Sequence, residues 1–229
     1  MHQERKREHL RISLDQDVGC SSVTTGLERY HLIHLALPDI NLEDIDTSTQ
    51  LLGKRMQVPL IVSAMTGGTP EARIINHRLA EAAQSSGIGM ALGSQRAALD
   101  DPTVADTYRV RHLCPHVLLL ANLGAVQLNY GYGLSECRQA VEMIEADALV
   151  LHLNPLQEAL QPEGNTRFSG LLGRIEAVCR GLHVPVVVKE VGWGISGSVA
   201  KQLADAGVTA IDVAGAGGTS WSRVEMHRS

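Results

Sequence analysis

Seven consecutive residues, His152-Leu153-Asn154-Pro155-Leu156-Gln157-Glu158, bring together an imidazole, two carboxamides and a carboxylate. If the segment leaves the end of a strand, alternate positions share a face, so His152 and Asn154 point the same way. Pro155 then breaks the strand into a turn that presents Gln157 and Glu158. Such a set suits proton transfer and cation binding. The same residues also read as a strand-to-helix turn with capping polar groups, and spacing does not choose between the two.

Lys189-Glu190 closes the run Val186-Val187-Val188, placing an ammonium group where a parallel sheet is otherwise apolar. A buried lysine needs an anion or a strong acceptor. Glu190 or another carboxylate would provide it internally; an anionic ligand or a polarised ring would provide it from outside. Ala214-Gly215-Ala216-Gly217-Gly218-Thr219-Ser220-Trp221 and the shorter Met65-Thr66-Gly67-Gly68 would let backbone N–H groups approach a phosphate or a planar cofactor, although loops of this kind are common. Two such loops with Asn122 and Lys189 between them favour a phosphorylated cofactor. Gly93-Ser94-Gln95-Arg96 offers hydroxyl, amide and guanidinium groups for a phosphate or, equally, a surface ion pair. Arg5-Lys6 with His9 reads by itself as part of a solvated charged helix.

The elements that must position these residues alternate in a simple way. Val58–Met65, Gly89–Gly93, Val117–Asn122, Ala148–Asn154, Val184–Glu190 and Ala210–Ala214 are nearly continuous apolar runs, as expected of strands buried on both faces of a parallel sheet. Between them lie helix signals. Thr69 caps a helix with Pro70 at its first position, Ile74, Ile75, Leu79, Ala82 and Ala83 sharing a face, and Gly87 as the stop. Leu171, Leu172, Ile175, Val178 and Cys179 form a second face closed by Gly181. Ser196 or Ser198 caps a third helix with Val199, Leu203 and Ala206 inward and Gly207 at its end.

A βαβα pattern closes either as an open doubly wound sheet or as a (β/α)8 barrel. The dinucleotide-binding form should carry G-x-G-x-x-G after its first strand, and Met65 to Thr69 does not match it. Polar or glycine-rich sequence comes after every strand, where barrel enzymes build their sites, so the expectation is α/β with a TIM (β/α)8-type barrel. Six units reach Trp221 and only eight residues remain. The barrel is therefore expected to be C-terminally truncated to about six βα units, against the usual eight. Residues 1–57 form an N-terminal arm and lead-in, residues 58–229 the incomplete barrel, and together one domain.

Composition narrows the class. The 229 residues hold 20 basic and 25 acidic side chains, a net charge of −5, which leaves no basic excess to track a nucleic-acid backbone. Aromatics at 3% exclude a base-stacking platform. Cys20, Cys114, Cys137 and Cys179 form neither a zinc pattern nor a disulfide framework, which points to reduced thiols in the cytoplasm. No signal-peptide or membrane-spanning run is present, so no membrane partner is expected.

Taken together, these segments resemble type 2 isopentenyl-diphosphate isomerases, flavin enzymes of isoprene biosynthesis that interconvert isopentenyl and dimethylallyl diphosphate. The resemblance rests on Arg5-Lys6 with His9, Thr24-Thr25-Gly26-Leu27-Glu28, Ala64 to Gly68, Gly93 to Arg96, Ala121-Asn122-Leu123-Gly124, His152 to Glu158, Val188 to Gly192 and Val213 to Trp221. It implies that FMN contacts Ala64, Met65, Thr66, Ser94, Asn122, Lys189 and Thr219. It further implies that the substrate meets Arg5, Lys6, His9, Ser94, Gln95, Arg96 and Gln157, that Glu158 holds Mg²⁺, and that Gln157, His152 and Asn154 line the allylic carbons as the catalytic set. In the mechanism it implies, FMN reduced by NAD(P)H takes part in adding a proton at one carbon and removing another, with no net redox change. A homo-oligomer is implied, with Arg5 and Lys6 reaching a neighbouring subunit's site. The family's last two barrel strands, whose loops hold the flavin phosphate, have no counterpart here, so a truncated or frameshifted product is expected. A catalytically dead fragment surviving by association and another FMN-dependent barrel oxidoreductase are the alternatives.

Overall fold

The computed structural model describes residues 2–20 and 23–228. A first helix, α1 (His2–Asp15), leads through an extended segment to a hairpin of β1 (Thr49–Leu51) and β2 (Lys54–Met56). Six more strands come next: β3 (Ile61–Val62), β4 (Gly89–Ala91), β5 (Leu119–Gly124), β6 (Ala148–His152), β7 (Val186–Lys189) and β8 (Ala210–Asp212). All their pairings are parallel and the order is β3-β4-β5-β6-β7-β8. A doubly wound sheet would reverse direction at a switch point. Strictly sequential order is barrel order, and each expected apolar run contributes one strand. The strands are shorter than the runs; Val58–Met65, at the edge of the sheet, meets β4 only at Ile61 and Val62.

The helices are α2 (Pro70–Ser86), α3 (Arg96–Asp100), α4 (Leu134–Ile144), α5 (Pro155–Leu160), α6 (Leu171–Gly181), α7 (Gly197–Asp205) and α8 (Trp221–Met226); α2, α4, α6 and α7 supply the outer layer, while α5 and α8 pack on each other at the C-terminal ends of the strands. Strand parity divides the core in two. Leu119, Ala121, Leu123, Leu149, Leu151, Val186 and Val188 point outward into the helix layer, while Leu118, Leu120, Ala148, Val150 and Val187 fill the inside of the curl with Met56 and Ala91. The inner rows turn polar toward the C-terminal ends, at Asn122, His152 and Lys189.

The start of α2 is as read from sequence: the Thr69 side chain accepts from Ala72 N–H at 3.1 Å, and Gly87 ends the helix at φ 62°. Its buried face is rotated from the expected one. Ala72, Asn76, Ala80 and Ala83 face the sheet, while Ile74 is 56% exposed and Ala82 is exposed too. Small side chains bring the helix close to the strands, and Asn76 donates to the carbonyls of Thr66 (3.3 Å) and Thr107 (3.0 Å). Leu172 on α6 and Val199 on α7 likewise lie on the outer side, with Leu171, Ile175, Val178, Leu203 and Ala206 buried. Gly181 packs closely on Leu134: a Cβ there would sit 2.5 Å from Leu134 Cδ2, so the leucine would have to shift.

The lead-in residues return to the far end of the sheet. Cys20 N–H donates to the Gly218 carbonyl (3.2 Å) and Ser220 N–H to that of Val18 (2.8 Å), so α1 packs beside α8 through Ile12, Val18, Val224 and Trp221. The extended segment from Val23 to Ile45 is largely open to solvent, Leu32 at 97% exposure. Among the described residues no helix is long and apolar enough to cross a membrane. Replacing Thr69 by Ala should remove the α2 cap and lower unfolding free energy by about 1 kcal/mol in urea denaturation at pH 7, with an unchanged m-value.

Candidate active site

The polar inner positions meet in one cavity at the C-terminal ends of the strands, enclosing about 700 Å³ of space open to solvent. Strand register sets its floor. Gly124 pairs with His152 and His152 with Lys189, so these three stand side by side. A Cβ on Gly124 would lie 3.2 Å from His152 Nε2, a close approach that a larger residue would tighten. His152 Nδ1 lies 2.8 Å from Asn122 Oδ1, which fixes the ring. Burial, and then the charges of Lys189, Lys6 and Arg5, push the His152 pKa down to about 3. At working pH it is a neutral imidazole.

Lys189 is buried, and its ammonium donates to the Glu190 carbonyl at 2.6 Å. The Glu190 carboxylate turns away to accept from Val191, Gly192 and Trp193 N–H groups at 2.6–2.7 Å. Burial lowers the Lys189 pKa, opposed by Asp212 and Glu190. The internal carboxylate pairing considered from sequence is thus not made through Glu190, and the charged head lines the cavity.

Helix α1 closes the opposite wall with Arg5, Lys6 and His9. All three face the cavity of their own chain. Arg5 donates to Gln161 Oε1 at 3.2 Å. Burial, reinforced by Arg5, lowers the Lys6 pKa to about 8, with Glu225 pulling the other way. His9 Nε2 lies 3.0 Å from Glu225 Oε1, and its ring stands 5.4 Å from that of Trp221. Arg96 opens α3 with Nε 3.5 Å from Asp100 and its head in the cavity, so the ion pair and the ligand-facing position coexist.

On α5, Asn154 donates to Gln157 Oε1 and Glu158 Oε1, both at 3.1 Å, and Glu158 Oε2 accepts from Asn165 N–H. Gln157 Nε2 donates to Glu225 Oε1 at 3.0 Å and Gln161 Nε2 to the same oxygen at 2.8 Å. Glu225 is 1% exposed, and its hydrogen bonds with His9, Gln157 and Arg228 outweigh burial to hold its pKa near 2. Glu225 and Gln161 were not singled out from sequence. The available signal was helical spacing: Gln161 is four residues beyond Gln157 and Glu225 four beyond Trp221, each on the same helix face.

Ala64, Met65, Ser94, Asn122, Lys189, Arg5, Lys6, His9, Arg96, His152, Asn154, Gln157 and Glu158 all line this cavity. Three expected ligand residues do not. Gln95 is 0% exposed and spends its amide inside the fold, donating to the Ala140 carbonyl (2.8 Å) and accepting from Asn122 N–H (3.0 Å). Thr66 is buried beneath the loop it begins. There Gly68 N–H is taken by Thr107, Gly67 makes way for the Tyr108 ring, and a Cβ on Gly93 would lie 2.5 Å from the Thr66 carbonyl oxygen. These glycines serve close packing. Thr219 lies across from Gly19 in a neighbouring depression lined by Cys20, Trp193 and Gly217. Among the described residues no group of three or more His, Cys, Asp or Glu is arranged to hold a metal.

The sequence pattern of the FMN-dependent dehydrogenase family matches residues 3–107. Proteins named isopentenyl-diphosphate delta-isomerase from Synechocystis sp. and Nostoc sp. are 59% and 56% identical to this chain over 98% and 99% of its length. One of the same name from Rickettsia prowazekii is 55% identical over 99%. This chain spans 64%, 65% and 66% of those three proteins. Two structures of a mandelate oxidase mutant with FMN adducts share the fold, with TM-scores of 0.56 and 0.57 at 18% and 19% identity, over 91% of this chain and 65% of theirs.

Because His152 keeps its neutral form down to about pH 3 when folded but takes a proton near 6.5 when unfolded, stability should fall as pH drops from 6.5 toward 3. The loss should be smaller for His152→Gln, as read by urea midpoints across that range.

Proposed function

On the premise that this chain is a homologue of proteins named isopentenyl-diphosphate delta-isomerase, we propose that it carries the diphosphate- and ring-facing walls of an FMN-dependent isomerase site. The reaction is the interconversion of isopentenyl and dimethylallyl diphosphate. The observation that carries this reading is one cavity lined by Arg5, Lys6, Arg96 and Lys189, with Glu158 as an acidic group beside amides and a neutral imidazole. A doubly anionic substrate suits such a mouth; an apolar hydroxy acid would leave most of its charge unmatched.

FMN fits the donors: the Lys189 ammonium and the Asn122 and Ser94 side chains stand on the cavity wall. When bound, the ring supplies the proton exchange at carbon that no side chain here is basic enough to perform; NAD(P)H would keep it reduced. Mg²⁺ fits Glu158, whose carboxylate has about four acceptor sites and gives only two to Asn154 and Asn165. A single carboxylate completed by substrate phosphate oxygens is the usual setting for this ion.

The chain's own groups then divide the work. Arg5, Lys6 and Arg96 neutralise the diphosphate, with residues 1–57 acting as the substrate-binding arm. Gln157 has its amide direction fixed at both ends, by Asn154 on its oxygen and Glu225 on its nitrogen, and would present a fixed dipole to the allylic part of the substrate. Neutral His152 and Asn154 shape the remaining wall without adding charge. A cytoplasmic setting, consistent with four free cysteines, and a homo-oligomeric state belong to the same proposal.

Calorimetric titration with isopentenyl diphosphate tests the reading. Binding should strengthen at least tenfold with Mg²⁺, and Glu158→Gln should abolish that gain; equal binding with and without the metal overturns it. Dimethylallyl diphosphate should form when reduced FMN is supplied. Free Lys6 loses its proton near pH 8 and the bound anion favours the charged form, so affinity should decline above pH 8. Lys6→Gln should flatten that dependence.

A further inference from the structure

Arg228, in the turn after α8, is 9% exposed and makes three ion pairs with carboxylates from three parts of the chain. Its Nε donates to Glu8 of α1 at 3.0 Å, Nη1 to Glu225 of α8 at 2.7 Å and Nη2 to Glu163, beyond α5, at 2.9 Å. Two of those carboxylates also face the cavity's cations. Glu163 Oε1 lies 3.9 Å from Arg5 Nη1, and Glu225 Oε1 lies 3.0 Å from His9 Nε2 and accepts from Gln157 and Gln161.

We propose that Arg228 is a positioning residue for the anion site: it draws Glu163 and Glu225 to itself, leaving Arg5 and Lys6 free for a phosphate-bearing ligand, and it pins α1 over the cavity through Glu8. The inference rests on the reading of the cavity as a diphosphate site and adds the group that keeps it cationic. Without Arg228 the two carboxylates have no external counter-charge, and the nearest cations are the ligand-binding ones. Arg5 would close on Glu163, and His9 would take a proton against Glu225. In a poorly solvated site such internal pairing competes directly with an incoming anion. The fork of the guanidinium matters because three separate carboxylates are held by one planar group, which an ammonium cannot copy.

The test uses the 229-residue chain, inorganic pyrophosphate as the probe and the His9 ring signals in NMR. In the unaltered chain His9 should titrate below its ordinary 6.5, despite its carboxylate neighbour. The groups facing it are Glu225, Lys6, Arg5 and Trp221, and burial depresses its pKa first. A His9 midpoint above 6.5 in the unaltered chain overturns the proposal without any variant. Arg228→Gln should weaken pyrophosphate binding by on the order of tenfold and raise the His9 midpoint. Adding Glu163→Gln to it should recover most of the affinity, and Arg228→Lys should fall between. A lower melting temperature with pyrophosphate affinity and His9 midpoint unchanged would show a purely structural role and overturn the inference. If the unaltered chain binds no pyrophosphate, the diphosphate reading fails while the His9 shift in Arg228→Gln still decides whether Arg228 neutralises Glu225.

Discussion

Four cations facing one cavity repel one another, and the arrangement of the mouth is a response to that repulsion. Arg5, Lys6, Arg96 and Lys189 approach from α1, α3 and β7. Burial lowers the Lys6 and His152 pKa values first, and the mutual effect of the cations adds to it: Arg5 at Lys6, and Lys189, Lys6 and Arg5 at His152. Such a group stays folded only because the acidic residues are placed one layer behind. Glu225 binds the amides and the His9 edge, Glu163 touches Arg5 from outside, and Glu190 is turned into its own loop. The positive charge is aimed inward and the negative charge is spent on backbone, amides or Arg228. A dianion entering this space replaces repulsion with attraction, so the resting arrangement is organised for a ligand.

The parallel sheet makes this possible by parity. Side chains alternate along each strand, so one row can run from Leu118 and Leu120 to Asn122, or from Ala148 and Val150 to His152, changing from oil to water along a single face. The apolar lower part excludes solvent and raises the cost of every unpaired polar group above it. Asn122 meets that cost on two sides: its side chain takes His152, and its N–H is held by the buried Gln95 amide. A residue that touches no ligand thereby fixes one that lines the wall.

The six strands were legible because strands covered on both faces must be apolar throughout, and few other elements produce short, dense runs of Val, Ile, Leu and Ala. The caps at Thr69 and Ser196 were legible because their hydrogen bonds are local. Which helix face is buried was less so: on α2, Ile74 carries more apolar surface than Ala72 and Ala80, yet the sheet takes the smaller residues, which permit close approach. The polar residues of the mouth were legible because they sit directly after the apolar runs, where a barrel carries its chemistry, and most of those named are there. Gln95 was misplaced since adjacent residues in a loop point in different directions, and Ser94 and Arg96 on either side do reach the cavity. Thr219 was misplaced because the route of the lead-in chain past Gly19 is a long-range fact with no local signature. Glu225 escaped notice for the same reason: its cavity partners Gln157 and Gln161 lie more than 60 residues away.

The ladder from β3 to β8 has two outer margins among the described residues, and neither is shielded by a neighbouring strand. Leu60 and Ile61 at one margin and Val213 at the other are accessible apolar groups, and the long ribbon from Val23 to Ile45 also leaves its apolar side chains uncovered. Peptide groups along such margins are ready templates for any extended polypeptide that runs in the same direction. A strand laid along either rim would lengthen the ladder and cover apolar surface remote from the cationic cavity.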